Sequence, residues 1–514
     1  MLLLIACALL SVGSCHPFQI PHTPTEAASI LSAEGLTIKA NGGKGSMHAH
    51  RERSPGLLSH DDVVKGQRAH ASTSHDVIFV VKKRNMDELT RILHDVSDPT
   101  SQNYGNHMTR DEIIKLTSNP ESKDEIMAYL KAAGATVTLV SHAGESITAS
   151  ASIGVWERMF NTEFFTYTLP ESVVDSTTPS SRNAANLHTF VRTEEYSVPL
   201  ALDSHVDFVM NTVQLPQLRS SKIPYIKVNP SDLPSGSSRF NLETEVIPNF
   251  VTPQVINNIY NIESNTGHPR ATQAAYETVE QLFSEGDLTQ FQKTFKLPIR
   301  AINASYGGHL ATPEFCKASG YSICAEGNLD IMYMLSIADT PTIHWYSDLP
   351  MAWFLYDIVY APKTPPLVIS MSYGSEERYL SISEYSTFEN AAKMLGVMGV
   401  TVLASAGDDG VSPQAARRDA AQCKYMPFYP ASCPYVISVG ATQVHLKSKS
   451  LSSSSNYTIF ISLPQSPNDL FCSTFRALKN ELLKLFVKII AVEELRVEAG
   501  CRLYIPCQLG KRLT

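Results

Sequence analysis

The sequence predicts an α+β domain followed by an α/β domain with a doubly wound parallel sheet, and three observations carry that expectation. At 514 residues, 43% of them hydrophobic, the chain is too long for one ordinary core and apolar enough to build more than one. Between residues 75 and 217 strand-like segments outnumber the helical crossovers that join them, which suits helices laid on an antiparallel sheet. From residue 246 to 443 helices alternate with strands apolar on both faces, the pattern of a parallel sheet covered on either side.

Residues 1–15, MLLLIACALLSVGSC, are an apolar run ending in small residues, about the length of a signal-peptide core and too short to span a bilayer. Residues 16–74 are rich in His, Ser, Gly and charge and read as a mobile leader; His48 and His50 in HAHRER read as part of that solvated stretch rather than as a metal site. Order is expected from residue 75. VIFVV is a strand, MDELTRILHDVSD an amphipathic helix, TRDEIIKLTSN a capped helix, and SKDEIMAYLKAAGA a helix ended by Gly134. TVTLVSHAGESITASAS gives two strands around His142-Ala143-Gly144, followed by the helix IGVWERMF and the strand EFFTYTL. Residues 218–245 crowd Ser, Pro and Gly together, which is linker chemistry and an exposed place for proteolytic processing.

In the second domain LVISMS and TVLASAG are strands without a polar face, so the segments SYG and GDDG that follow them fall at the carboxyl ends of parallel strands, where ligand sites form. CAEGNLDIMYMLSIADT, residues 324–340, reads as a helix with apolar Leu329, Met332, Leu335 and Ile337 and with Glu326 and Asp330 one turn apart. Two acids at i and i+4 repel. The helix macrodipole welcomes acids in a first turn, and a paired catalytic carboxyl site wants the same spacing; both readings stand on the residues alone.

The net charge of -8 comes with no long basic tract, which argues against a nucleic-acid partner. No stretch beyond the first approaches eighteen apolar residues, so no membrane partner is expected. Nine cysteines are unevenly spread, and Cys316 with Cys324 or Cys423 with Cys433 are candidate bridges in an oxidising compartment. Asn303-Ala304-Ser305 and Asn456-Tyr457-Thr458 are glycosylation sequons.

Together the segments resemble the sedolisin family of serine-carboxyl peptidases over about residues 76–443. SDPTSQNYGNHMT and HVDFVMNTVQLP look like parts of that family's activation domain, VTPQVINNIYNI like the start of its mature enzyme, and EGNLDI, SMSYG, ASAGDDG and FYPASCPYVISVGAT like successive blocks of its catalytic domain. The resemblance implies a subtilisin-like core in which Glu, Asp and Ser replace the Ser-His-Asp set. It implies Glu326 as general base, Asp330 as the acid that orients it, and Asp408 as the acid that helps stabilise the oxyanion. It further implies a peptide or unfolded-protein substrate, the chain's own propeptide as a partner, an acidic working pH, and a secreted or lysosome-like location. Read locally, Asp408-Asp409-Gly410 is also an ordinary tight turn.

After Thr442 the texture departs from the family. Residues 444–514 carry ten Lys or Arg against five Asp or Glu, and no Gly stands between 444 and 499. No Ser in a Gly-Thr-Ser context occurs, so no nucleophile is assigned, and the second domain is expected to be truncated or altered after about residue 443. The calcium that the family binds has no ligand set, since Asp469 is the one Asp beyond Asp419; no cofactor is expected. Either this is a peptidase zymogen that is inactive as written, or it is a non-catalytic protein whose propeptide-like domain binds and inhibits a relative.

Overall fold

The computed structural model describes residues 48–60, 62–170, 187–215, 251–319, 322–347, 350–361, 363–417, 419–440, 443–444 and 459–460. All lie in one compact unit, His48–Thr514. The signal-like segment, the linker at 218–245 and nearly all of the stretch after 443 fall outside the described residues.

The first domain opens with β1 (His48–Arg53), a short helix α1 (Pro55–Ser59), β2 (Val64–Arg68) and β3 (Ser74–Val81). The chain is therefore in regular structure from His48, and the mobile leader expected through residue 74 is corrected: β1 pairs with β8 (Glu195–Pro199) and β2 with β6 (Phe165–Pro170). The reason it was hidden is physical. Every residue of β2 is exposed, so this edge strand has no apolar alternation to read.

Three helices follow: α2 (Met86–Ser97), α3 (Arg110–Thr117) and α4 (Pro120–Ala132). Thr109 and Glu112 form a reciprocal capping box at α3, and Asn119 caps α4 ahead of Pro120. Next come β4 (Thr136–Val140), β5 (Ser146–Ser152) and α5 (Ile153–Phe160), then β6, β7 (Leu187–Arg192), β8 and β9 (Val206–Met210). The main sheet runs β4-β5-β3-β9 and is antiparallel throughout, with Val77 opposite Ala149 and Phe79 opposite Val209. Its core joins Phe79, Ile126, Leu130 and Ile147 to Trp156 and Phe160 of α5. Trp156 stacks on Phe160 at 5.7 Å while its indole N–H donates to the His75 carbonyl at 2.8 Å, so the large ring is buried without an orphaned donor.

The second domain contains, in order, α6 (Pro253–Tyr260), β10 (Gln273–Glu277), α7 (Glu285–Thr294), β11 (Ala304–Tyr306), α8 (Pro313–Ala318) and α9 (Ala325–Ile337). β12 (Thr342–Tyr346), α10 (Met351–Tyr360), β13 (Val368–Met371), α11 (Ile382–Val397), β15 (Thr401–Ser405) and β17 (Ile437–Val439) follow, with a small antiparallel pair, β14 (Ser375–Glu376) and β16 (Phe428–Tyr429). The six-stranded sheet runs β11-β12-β10-β13-β15-β17, and every pair in it is parallel. Alternate residues of β10 serve opposite layers. Ala274 and Tyr276 face α10 and α11, whereas Ala275 faces the smaller core of Phe283, Leu288, Ile331 and Leu335 under α7 and α9.

The two domains share a seam. Leu89 and Ile113 of the first domain are fully buried in the same core as Phe354, Val359 and Val397 of the second. Around that core the Met108 N–H donates to the Val397 carbonyl at 3.0 Å, and Arg110 Nε donates to the Val359 carbonyl at 2.6 Å. Glu52 from β1 is only 3% exposed; its carboxylate accepts the Ser383 N–H at 2.7 Å, in the first turn of α11, while the Gln214 amide donates to Ser383 Oγ at 2.9 Å.

Candidate active site

Four acids converge where the carboxyl ends of β10, β13 and β15 meet α9. Glu326 and Asp330 stand one turn apart near the start of α9, as their spacing predicts, and each is half-buried. A disulfide from Cys316 on α8 to Cys324 fixes the residue just before this helix. The Glu326 N–H donates to Gln281 Oε1 at 3.1 Å, and Asn328 bridges α9 to the start of α7 by accepting the Ser284 N–H at 2.9 Å and donating to Asp287 at 3.1 Å. The core-facing stripe of α9 is Gly327, Ile331 and Leu335; Leu329, expected on that face, is 50% exposed.

Ser372 and Tyr373, directly after β13, each hold one acid. Ser372 Oγ donates to Asp330 Oδ2 at 2.6 Å, and the Tyr373 hydroxyl donates to Glu277 Oε2 at 2.7 Å. Glu277 was not singled out from the sequence. It is the last residue of β10, fully buried, and its Oε1 has no hydrogen-bond partner. Burial, with Asp330 close by, drives its pKa well above the ordinary glutamate range, so it stands as a neutral acid. A signal did exist: an acid closing an all-apolar parallel strand sits where sites form. It was masked because AAYETVEQLFSEGDL runs strand into helix without a break.

Burial also raises the pair on α9. Glu326 is pushed up to about 8, first by desolvation and then by the charges of Asp330 and Asp408. Asp330 is pushed up to about 6 by desolvation, held back by the Ser372 hydroxyl. Asp330 thus ionises first, and Glu326 gives up its proton against a neighbour already charged. Asp408 follows β15 in the turn Gly407-Asp408-Asp409-Gly410 and is exposed, but its charge reaches Glu326. The loop bearing Asp408 and the loop bearing Ser372 pack on one ring: a Cβ on Gly374 would lie 2.3 Å from Phe428, and one on Gly407 3.0 Å from it.

Gly327 sets how closely α9 approaches the sheet. A Cβ there would stand 2.8 Å from the Leu282 carbonyl oxygen and 3.6 Å from Glu277 Oε2. Gly327→Ala is therefore expected to destabilise the protein by about 1–3 kcal/mol despite the better helix propensity of Ala, because a backbone carbonyl cannot step aside. A denaturant midpoint equal to or above that of the parent protein would contradict this packing.

The second candidate bridge is corrected, since Cys433 is a buried free thiol whose burial pushes its pKa up to about 12. No group of three or more His, Cys, Asp or Glu side chains suited to a metal occurs among the described residues. Ser473, a serine of the tail that stands as a candidate for the missing hydroxyl, falls outside them, as does nearly all of the tail.

Residues 61–215 match the Pro-kumamolisin activation domain, and residues 290–468 match the Subtilase family. A peptidase domain of the subtilase class thus stands behind an activation domain. The chain resembles the sedolisin serine-carboxyl peptidases, and the curated relatives it is similar to are tripeptidyl-peptidases. It is 25% identical over 397 residues to the probable tripeptidyl-peptidase SED2 of Trichophyton verrucosum, covering 71% of this chain and 63% of that protein. It is 25% identical over 378 residues to tripeptidyl-peptidase 1 of Rattus norvegicus, covering 71% and 61%. The chain therefore spans less than two thirds of the length of these curated relatives. Pseudomonas sedolisin gives a TM-score of 0.28 at 17% identity over 38% of this chain and 55% of that one, a likeness too slight to argue from.

Proposed function

We propose that the chain is the zymogen form of an acid-acting serine-carboxyl peptidase that cleaves peptides or unfolded proteins, and that as written it lacks the nucleophile and does not hydrolyse them. The placement of Glu326 and Asp330 one turn apart on α9, with Asp330 held by Ser372 at the carboxyl end of β13, is the observation that carries this reading. Glu326 is the base that takes a hydroxyl proton and returns it to the leaving amine, Asp330 orients it, and Asp408, in its protonated form, donates to the oxyanion. Ser372 is committed to Asp330 and is a support rather than a nucleophile.

The pKa directions bear on working pH. A base must be ionised, yet burial keeps both carboxyls of the pair protonated through the acid range in this form. Activity at acidic pH therefore requires more water around the pair than burial leaves it here. Calcium has no ligand set: Asp469 is the one Asp beyond Asp419, against the six or so oxygen ligands a calcium cage takes. A secreted or lysosome-like location is supported by the Cys316–Cys324 bridge. No helix among the described residues is long and apolar enough to cross a membrane.

The test is hydrolysis of short peptides by the full chain across the acid-to-neutral range. No turnover is expected. Acid-dependent hydrolysis that disappears in Ser473→Ala would show that the tail does supply the nucleophile. A second reading, in which the first domain inhibits an intact relative, is favoured by the burial of Leu89 and Ile113 in the second domain's core. Inhibition of an active tripeptidyl-peptidase by residues 48–215 supports it, and absence of binding at micromolar concentration removes it.

A further inference from the structure

We propose that Asn303 carries an N-linked glycan that shields the outer edge of the parallel sheet; this rests on the secretory reading above. Asn303-Ala304-Ser305 is a sequon, and Asn303 is exposed at the residue just before β11. Its backbone is fixed by the Asn303 N–H donating to the Thr342 carbonyl at 2.7 Å, so the side chain leaves the sheet from a rigid base.

β11 is the last strand of the sheet order, with a strand partner on one side only among the described residues. A lone edge strand is a template for pairing with another chain. Exposed apolar side chains lie on both sides of it, Ile299 at 52% and Leu310 at 55%. A bulky hydrophilic group at Asn303 covers this edge. It also leaves the acids untouched, because Asn303 lies at the amino end of β11, whereas Glu277, Ser372 and Asp408 lie at the carboxyl ends of strands parallel to it.

The fold also fixes when the glycan is added. Ser305 Oγ, the sequon hydroxyl, is bonded to His344 Nδ1 at 3.0 Å, and His344 is fully buried. Transfer therefore precedes the docking of β11 on β12. In that step Asn303 Nδ2 forms a bond to the anomeric carbon of a lipid-pyrophosphate-linked oligosaccharide, the amide loses one proton, and the lipid pyrophosphate leaves.

The test uses the full chain, with its own amino terminus, made in a eukaryotic secretory host. Cleavage after Arg300 and Lys317 puts Asn303 and Cys316 on one peptide, so the glycan and the redox history are read together. The expected peptide has Cys316 bonded to Cys324 and a glycan at Asn303, which peptide N-glycosidase removes with the mass change of Asn303→Asp. Asn303→Gln and Ser305→Ala lose the glycan, and Ser305→Thr keeps it. An unmodified Asn303 beside an oxidised Cys316 overturns the proposal. An unmodified Asn303 beside a reduced Cys316 overturns the secretory reading, and the proposal with it.

Discussion

Asp330→Asn is expected to make the protein more stable above pH 6, by about 3 kcal/mol once the carboxyl it replaces would be fully ionised. The figure is the rise of Asp330 from its ordinary 3.8 to about 6, taken at about 1.4 kcal/mol per pH unit. The sign follows from the direction. A carboxyl whose folded-state pKa is raised favours folding below its unfolded value, and that stability is lost as pH rises through the folded one. The parent protein therefore loses stability between about pH 4 and 6 on account of Asp330, and from about pH 4.5 to 8 on account of Glu326. Asn keeps an oxygen for the Ser372 hydroxyl and removes the charge, so the first loss disappears. Glu326 then no longer faces an ionised neighbour, and its step moves to lower pH. Denaturation midpoints of parent and variant at about pH 3 and about pH 8 measure the effect: near coincidence at the lower pH, below the unfolded-state value, and a gap at the higher one are predicted.

Leu89→Ala is expected to cost about 3 kcal/mol, a typical value for emptying a fully buried leucine site. Leu89 lies on α2 of the first domain, yet it is buried in one core with Phe354 and Val397 of the second. Collapse of the site is limited because two rigid layers meet there; Leu93 on the same helix already presses on α11, within 2.7 Å of where a Cβ on Gly396 would be. Leu89→Met, which conserves volume, should cost under about 1.5 kcal/mol. A loss below about 1 kcal/mol for Leu89→Ala would mean that the propeptide-like domain rests on the peptidase domain without sharing its core.

What could be read from the sequence was local. The apolar run VIFVV placed β3, the capped segment TRDEIIKLTSN placed α3, and the stop at Gly134 placed the end of α4. The i,i+4 spacing put Glu326 and Asp330 on one helix face because that geometry involves no other part of the chain. What was missed depends on distant partners. Ser372 reaches Asp330 across 42 positions and Tyr373 reaches Glu277 across 96, and no periodicity signals either meeting. β1 and β2 are edge strands with few apolar residues, and the one large one in β2, Val64, is exposed. Leu329 misled because α9 carries apolar residues on its buried and exposed sides alike, so the pattern did not single out the buried face.

The most direct test of the account is titration of the side-chain carboxyl ¹³C signals of the labelled full chain from pH 3 to 9, with Glu326→Gln and Asp330→Asn to assign them. The account predicts that the signal lost in Glu326→Gln titrates near 8, that the one lost in Asp330→Asn titrates near 6, and that Asp330→Asn moves the Glu326 step downward. Glu326 titrating near the ordinary glutamate value of about 4.3, unmoved by Asp330→Asn, would contradict a dry, proton-sharing pair.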